Sequence, residues 1–354
     1  MSSEIRDDPE FRALLELSAA LGADPARTQA AGGNTSIKRA RVMWIKASGA
    51  WLADALRREM MIPVLLPPLR AAMAAGDPRA ESAVAFVDPS YNAPGLRPSI
   101  ETSVHAALPQ AVVVHIHCVE TIALAVRADA EAAIAARLPG LQSGEWIFVP
   151  YVKPGLPLAH EIGKRLTGKT RVIVLGNHGL IVAGETVAAA ADLVGRVCQA
   201  FAAPSSAAPA PDLDALARLV EGGDYRLPND PAAHVIATDP RRLAVARRGS
   251  LYPDHVVFLG PGIVEGAIVH GRAQAPPDLD RLAPMLVLPG QGVALRRDSP
   301  KGTDEMARCL ADVAGRIPED APIVTLTPAQ ERELVDWEAE KYRRSRNAVS
   351  TGAS

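Results

Sequence analysis

Cysteine is scarce in this 354-residue chain: Cys118, Cys198 and Cys309 are the three it has. They are odd in number and scattered, with no Cys-x-x-Cys spacing. That argues against a disulfide framework and predicts a reducing, cytoplasmic setting. Long apolar runs are missing too. None reaches the roughly 20 residues that cross a bilayer, so no membrane partner is expected. Neither sign of charge is in excess: 38 Lys and Arg stand against 40 Asp and Glu, a net of -2. Such a balance gives no ground for nucleic-acid or anionic-membrane binding. The opening Met-Ser-Ser-Glu-Ile-Arg-Asp-Asp is polar and acidic, unlike a secretory leader. A near-neutral chain, long enough for two domains, points to a small-molecule enzyme.

Against these absences stands a concentration of histidine. Val112, Val113 and Val114 are β-branched and predict a buried strand. His115 and His117 end it, two residues apart and so on one face. Two imidazoles at a strand end suit a shared metal ion; an ordinary hydrogen-bonded pair is the alternative. A third follows a second apolar strand, Arg171 to Leu175, in the turn Gly176-Asn177-His178-Gly179. Glycines flanking Asn-His predict a tight turn with positive φ. Three imidazoles with an open position make up a catalytic zinc site. Glu101 offers a carboxylate. Ser99, after Pro98, is placed to cap a helix carrying Glu101 and His105 on one face. Cys118 is read either as a further ligand or as a small buried residue.

These residues, in this order, resemble the class II aldolase/adducin family over roughly residues 10 to 200. The resemblance rests on Glu101, on His115-x-His117 and on Asn177-His178-Gly179. It rests also on the N-terminal Gly32-Gly33-Asn34-Thr35-Ser36-Ile37-Lys38 and on Trp44-Ile45-Lys46-Ala47-Ser48-Gly49. The wording is closest to the aldolase part of chains in which such a domain is fused to a short-chain dehydrogenase. The resemblance implies His115, His117, His178 and Glu101 as ligands of Zn2+ or another divalent metal. It implies Asn34, Thr35, Ser48, Gly49 and Ser99 as substrate-phosphate contacts. Lys38 and Lys46 are candidate counter-charges, with solvated strand residues as the plainer alternative. Ile100 stands where the family often has a second serine, which removes one possible phosphate donor. The implied activity is cleavage of a ketose 1-phosphate, or a related hydroxy-carbonyl, through a zinc-stabilised enediolate. Glu101 would be general base or acid. Its task calls for a raised pKa, which a partly apolar pocket favours and a metal charge opposes. Tyr151 is the candidate proton donor to the leaving aldehyde. Epimerase, dehydratase or decarboxylase chemistry at the same metal, or a non-catalytic adducin-like scaffold, are the alternatives. A homo-oligomer, dimer or tetramer, is implied.

The expected fold is α/β: a three-layer α/β/α domain with a mainly antiparallel central sheet, over residues 1–204. Helices are predicted over residues 9–22, 51–58, 119–126, 130–137, 158–166 and 186–203. Strands are predicted over 34–38, 42–46 and 146–149, with residues 75–98 a loop. Ala203 to Pro211 is rich in Pro, Ala and Ser and reads as a linker. A smaller α/β domain follows over 205–345, with helices near 213–221 and 304–317, strands at 255–259 and 285–288, and a charged helix from 327 to 346. Residues 346–354 are read as a flexible tail. Trp337 to Tyr342 resembles the segment after the aldolase part of the fused chains. Gly260-Pro261-Gly262-Ile263-Val264-Glu265-Gly266 follows a predicted strand, but its third glycine is one place late for dinucleotide binding. No dehydrogenase half is expected in this chain.

Overall fold

The computed structural model describes residues 3–90, 95–277 and 283–337. The chain divides into two compact units, residues 1–121 with 131–201, and residues 122–130 with 202–354.

The first unit is built on seven strands: β1 (Asn34–Arg39), β2 (Val42–Lys46), β3 (Met61–Leu65), β4 (Val112–Ile116), β5 (Trp146–Val149), β6 (Val172–Leu175) and β7 (Gly179–Gly184). Their order is β3-β2-β1-β4-β7-β6-β5. Every pairing is antiparallel except β5 with β6. The β-branched runs form the middle: each residue of β4, β6 and β7 is buried. Such continuous burial suits strands covered on both faces. On one face Val113, Ile173, Ile181 and Ala183 pack with Val104, Leu158 and Ile162 of the helices Thr102–Ala107 and Leu156–Gly163. On the other, Thr35 of β1 meets Ser18 of the helix Pro9–Ala23. That helix begins where Asp8 accepts from the Glu10 amide ahead of Pro9 at the first turn. The expected α/β/α layering and mainly antiparallel sheet are both present.

Two stretches differ from expectation. Residues 51–58 form only a 3-10 turn, Leu52–Asp54. Leu52 and Ala55 are buried there, but Leu56 is 59% exposed. So short a segment lacks the apolar stripe that would hold a helix. Strand β3 and the helix Leu66–Ala74 were not anticipated. Prolines hide both: Pro63 is tolerated because β3 is an edge strand, and a proline in the first turn opens the helix.

The second unit holds a four-stranded sheet. In spatial order its strands are Tyr225–Arg226, Gly292–Arg296, Met285–Leu288 and Val264–Glu265. Residues 122–130 join it through backbone bonds, Ala128 N to Pro322 O and Val324 N to Val126 O. The predicted helices occur at Leu213–Val220 and Thr303–Ala314, and the predicted strand at Met285–Leu288. Residues 255–259 are a correction: they lie in a helix, Pro253–Leu259. Every side chain of this helix is buried, and an all-buried apolar run has no period that separates helix from strand. Proline in the first turn and Gly260 at φ 90° bound it. The Gly260-Pro261-Gly262 stretch therefore ends a helix rather than following a strand. The predicted linker is held in place: the buried Arg242 donates to Ser205 Oγ and Ser206 O, and Thr238 Oγ1 donates to Pro209 O. A capping box of Thr327 and Gln330 opens the helix Pro328–Asp336. Its expected continuation to 346, residues 338–342 of the Trp337 segment, and the tail 346–354 lie outside the described residues. Among the described residues, no helix is long and apolar enough to cross a membrane.

Candidate metal centre

Three imidazoles converge at the end of the central strands. Antiparallel pairing places Asn34 opposite His115 and His115 opposite Ile181. His117 follows β4 directly, and His178 sits in the turn between β6 and β7. That turn is fastened by Gly176 N to Val149 O and by His178 N to Leu175 O. Positive φ falls on Asn177, at 53°, rather than on either glycine. The glycines serve close approach instead. A Cβ on Gly176 would stand 2.9 Å from the Tyr151 amide nitrogen, and one on Gly179 would stand 2.5 Å from Ile116 O. Both distances are shorter than real Cβ contacts allow.

The ligand atoms of His115, His117 and His178 all lie within 4.8 Å of one another, and all three residues are buried. His115 Nε2 and His117 Nε2 are 3.1 Å apart. A tetrahedral ion with bonds of about 2.0–2.1 Å has an N···N edge of roughly 3.3 Å. His115 Nδ1 lies 3.1 Å from Leu180 O. Donation to that carbonyl fixes the tautomer and leaves Nε2 as the ligand atom. Gln29 Nε2 donates to His117 O at 3.2 Å, a support invisible in the local pattern because Gln29 lies 88 residues away in the chain.

Glu101 closes the cluster. Its Oε2 accepts from Asn34 Nδ2 at 2.8 Å and lies 3.3 Å from His115 Nε2. Its Oε1 lies 3.6 Å from His178 Nε2 and receives no hydrogen bond, and Asn34 Oδ1 is likewise buried and unbonded. Unbonded acceptors beside three imidazoles suit a cation or a hydroxyl-bearing ligand. Burial pushes the Glu101 carboxyl up, but His115, His178, His117 and the Asn34 amide outweigh it and hold it near 2. Of the two opposing influences weighed from the sequence, burial and neighbouring positive charge, the second prevails at Glu101 through the imidazoles themselves.

The helix bearing His105 starts two residues late for the predicted Ser99 cap. It runs Thr102–Ala107 with Glu101 at its N-cap position, and Ser99 Oγ accepts from the Glu101 amide at 3.3 Å. His105 turns inward to Ser36 Oγ at 2.7 Å. Burial pushes it down to about 3, so it stays neutral and structural.

The predicted phosphate contacts separate. Ser99 N donates to Lys46 O, and Lys46 Nζ bridges Ala31 O and Ala50 O, both at 2.8 Å. Lys46 is thus a buried tie between the loop before Asn34 and the turn at Ser48-Gly49, rather than a solvated strand residue. Gly49 holds φ 77°. The Ser48 amide is spent on Arg97 O and offers nothing to a phosphate. Thr35 does not reach the cluster: alternation along β1 turns it to the opposite face, onto Ser18 Oγ at 2.7 Å. Lys38 shares the face of Asn34 but lies at the other end of β1, its ammonium on Leu108 O and Gln110 O. Tyr151 is half-buried, its backbone against Gly176 of the His178 turn. Cys118 is not among the converging ligands; it contacts Glu120 and Cys198.

Comparison with known proteins bears on the same stretch. An uncharacterized oxidoreductase of Bacillus subtilis, YuxG, is 31% identical over 178 residues, which is 47% of this chain and 25% of that protein. The matched stretch thus spans about a quarter of the length of that relative. The solved N-terminal class II aldolase domain of a conserved Thermoplasma acidophilum protein is 27% identical at a TM-score of 0.47, covering 55% of this chain and 92% of its own. An l-fuculose-1-phosphate aldolase of Thermus thermophilus is 19% identical at 0.38, covering 54% and 91%. The family model for the class II aldolase and adducin N-terminal domain matches residues 12–202, more than half of the chain and the whole stretch that carries the three imidazoles and Glu101. The chain belongs to the class II aldolase and adducin family.

Proposed function

We propose that the protein is a metal-dependent aldolase that cleaves a ketose 1-phosphate or a related hydroxy-carbonyl. The observation that carries this reading is the convergence of three buried imidazoles on one point beside the Glu101 carboxylate. His115, His117 and His178 would hold the ion, with Glu101 an optional fourth ligand. A divalent ion there, zinc being suited to a three-imidazole set, would supply Lewis acidity toward a carbonyl.

The chain's own groups then divide the proton work. Cleavage turns a hydroxyl into an aldehyde carbonyl, which releases one proton, and leaves a carbon that must gain one. Glu101 is within reach of the metal-binding nitrogens and is oriented by Asn34, so it is assigned the proton at carbon. Tyr151, beside the His178 turn, is assigned the proton at the aldehyde oxygen. Asn34, the Ser48 hydroxyl, Gly49 and Ser99 are assigned to the phosphate end, with Lys46 holding their loops together. Thr35 and Lys38 are not part of this assignment. A homo-oligomer, dimer or tetramer, belongs to the same proposal.

The test is triose phosphate release from a panel of ketose 1-phosphates, with and without a chelator. Chelator-sensitive release is the expected result. A zinc-containing protein that releases none would shift the reading to epimerase, dehydratase or decarboxylase chemistry, or to an unphosphorylated substrate. A protein with neither release nor metal would favour the scaffold.

A further inference from the structure

Cys118 follows His117 in the chain, and Cys198 stands on the helix Val187–Phe201, 80 residues further on. Their sulfurs are 3.6 Å apart, with the Cys198 thiol donating to Cys118 Sγ. Cys118 donates to Glu120 Oε2 at 3.1 Å. Arg27 Nη1 donates to both, at 3.3 Å to Cys118 Sγ and 3.1 Å to Glu120 Oε2. Both thiols are buried, and the Arg27 side chain that reaches Cys118 is 26% exposed. Two cysteines that merely fill a core need no such company. Here a cation, a carboxylate and a second thiol meet at one sulfur, and the two sulfurs need only a small shift to bond.

We propose that Cys118 and Cys198 are a hydroperoxide-reactive dithiol whose closure to a disulfide loosens the metal held through His117. The consequence for the metal rests on the proposed three-imidazole site; the dithiol chemistry does not. The Cys118 sulfur attacks one peroxide oxygen and the O–O bond breaks. The thiol proton passes to Glu120 and on to the departing hydroxide, giving water and a sulfenic acid on Cys118. The Cys198 sulfur then attacks the Cys118 sulfur. The S–O bond breaks, and the hydroxyl leaves with the Cys198 proton as a second water. The two sulfurs together lose two electrons and the peroxide gains them. Closure brings the sulfurs from 3.6 Å to about 2.05 Å. The backbone at Cys118, and His117 with it, is thereby drawn toward the helix.

The test uses the zinc-loaded full chain and hydrogen peroxide, read by intact mass, peptide mapping and a zinc-sensitive dye. The expected result is the loss of two hydrogens, one cross-link between the Cys118 and Cys198 peptides, and zinc release in step with it, all reversed by dithiothreitol. Cys309, buried elsewhere, should stay reduced. Cys198→Ser should form no cross-link, and Arg27→Met should slow cross-linking by roughly tenfold. The dithiol is overturned if Cys118 and Cys198 stay reduced, or if Cys309 oxidises as fast as they do. A cross-link formed with zinc retained overturns the coupling to the metal. If the protein takes up no zinc at all, the metal reading fails, and the cross-link map still decides the dithiol.

Discussion

Replacing Gly179 by alanine puts a methyl carbon 2.5 Å from the carbonyl oxygen of Ile116 and 3.4 Å from His115 Cε1. The oxygen belongs to backbone at the end of β4, so it has no rotamer by which to escape. To reach even 3.0 Å, β7 and β4 must part by about 0.5 Å at the point where His115, His117 and His178 converge. Overpacking of this kind costs about 1–3 kcal/mol. For a unit of this size that is a fall in Tm of about 3–10 °C. A metal cluster tolerates shifts of only about 0.5 Å, so zinc affinity should drop roughly tenfold or more. Gly195 is the internal control. It lies exposed within the helix Val187–Phe201, and a Cβ there meets nothing within 4 Å. Gly195→Ala should stabilise by about 0.5–1 kcal/mol and leave zinc affinity alone. Calorimetry and a zinc titration on both variants read the contrast. Equal Tm and equal zinc affinity in Gly179→Ala and the parent would refute the close approach of β7 to β4 and the geometry argued from it.

The remaining predictions concern single side chains. His115→Ala or His178→Ala should abolish bound metal while circular dichroism stays that of a folded chain; a variant retaining stoichiometric zinc would sink the site. Burial pushes Lys38 down to about 7 from its ordinary 10.5, with Arg70 acting the same way and Glu185 opposing. Between those values the unfolded chain binds more protons, so the Lys38 contribution to stability grows as pH rises from 7 towards 10.5 and is lost as pH falls through 7. Lys38→Met should flatten that part of the pH–Tm curve, and an unchanged slope would count against the burial argument. Asp304 accepts two bonds from Arg226 and one from the Asn229 amide, at 2.9, 2.6 and 2.8 Å. Burial raises the Asp304 carboxyl, but these partners win and hold it below the ordinary range. Its stabilisation is therefore present above the unfolded carboxylate pKa and lost as pH drops through the lower folded value. Asp304→Asn should cost about 1–3 kcal/mol at neutral pH and nearly nothing in strong acid, by urea melts.

Some residues announced this arrangement and others did not. His115 and His117 were legible because a strand has a period of two and β-branched valines mark the strand. His178 was legible because glycines flank it, although the positive φ falls on Asn177 and the glycines answer to the approach of Ile116 O and the Tyr151 backbone. The same period of two assigns Thr35 to the face opposite Asn34, which a motif read as one unit conceals. Lys38 misled because distance along a strand is invisible in a motif that spans it. The helix Pro253–Leu259 resembled a strand because complete burial erases the periodicity that separates the two. Cys118 and Cys198 meet only through the fold, across 80 residues of chain. The ionised state of Glu101 needed the positions of three imidazoles, which no local pattern supplies.

The most direct test of the central claim is X-ray absorption at the zinc edge of the reconstituted protein. Three imidazole nitrogens at about 2.0–2.1 Å, with the remaining positions filled by oxygen, is the predicted shell. A sulfur neighbour at about 2.3 Å, or fewer than three imidazoles, would place the metal elsewhere and contradict the account.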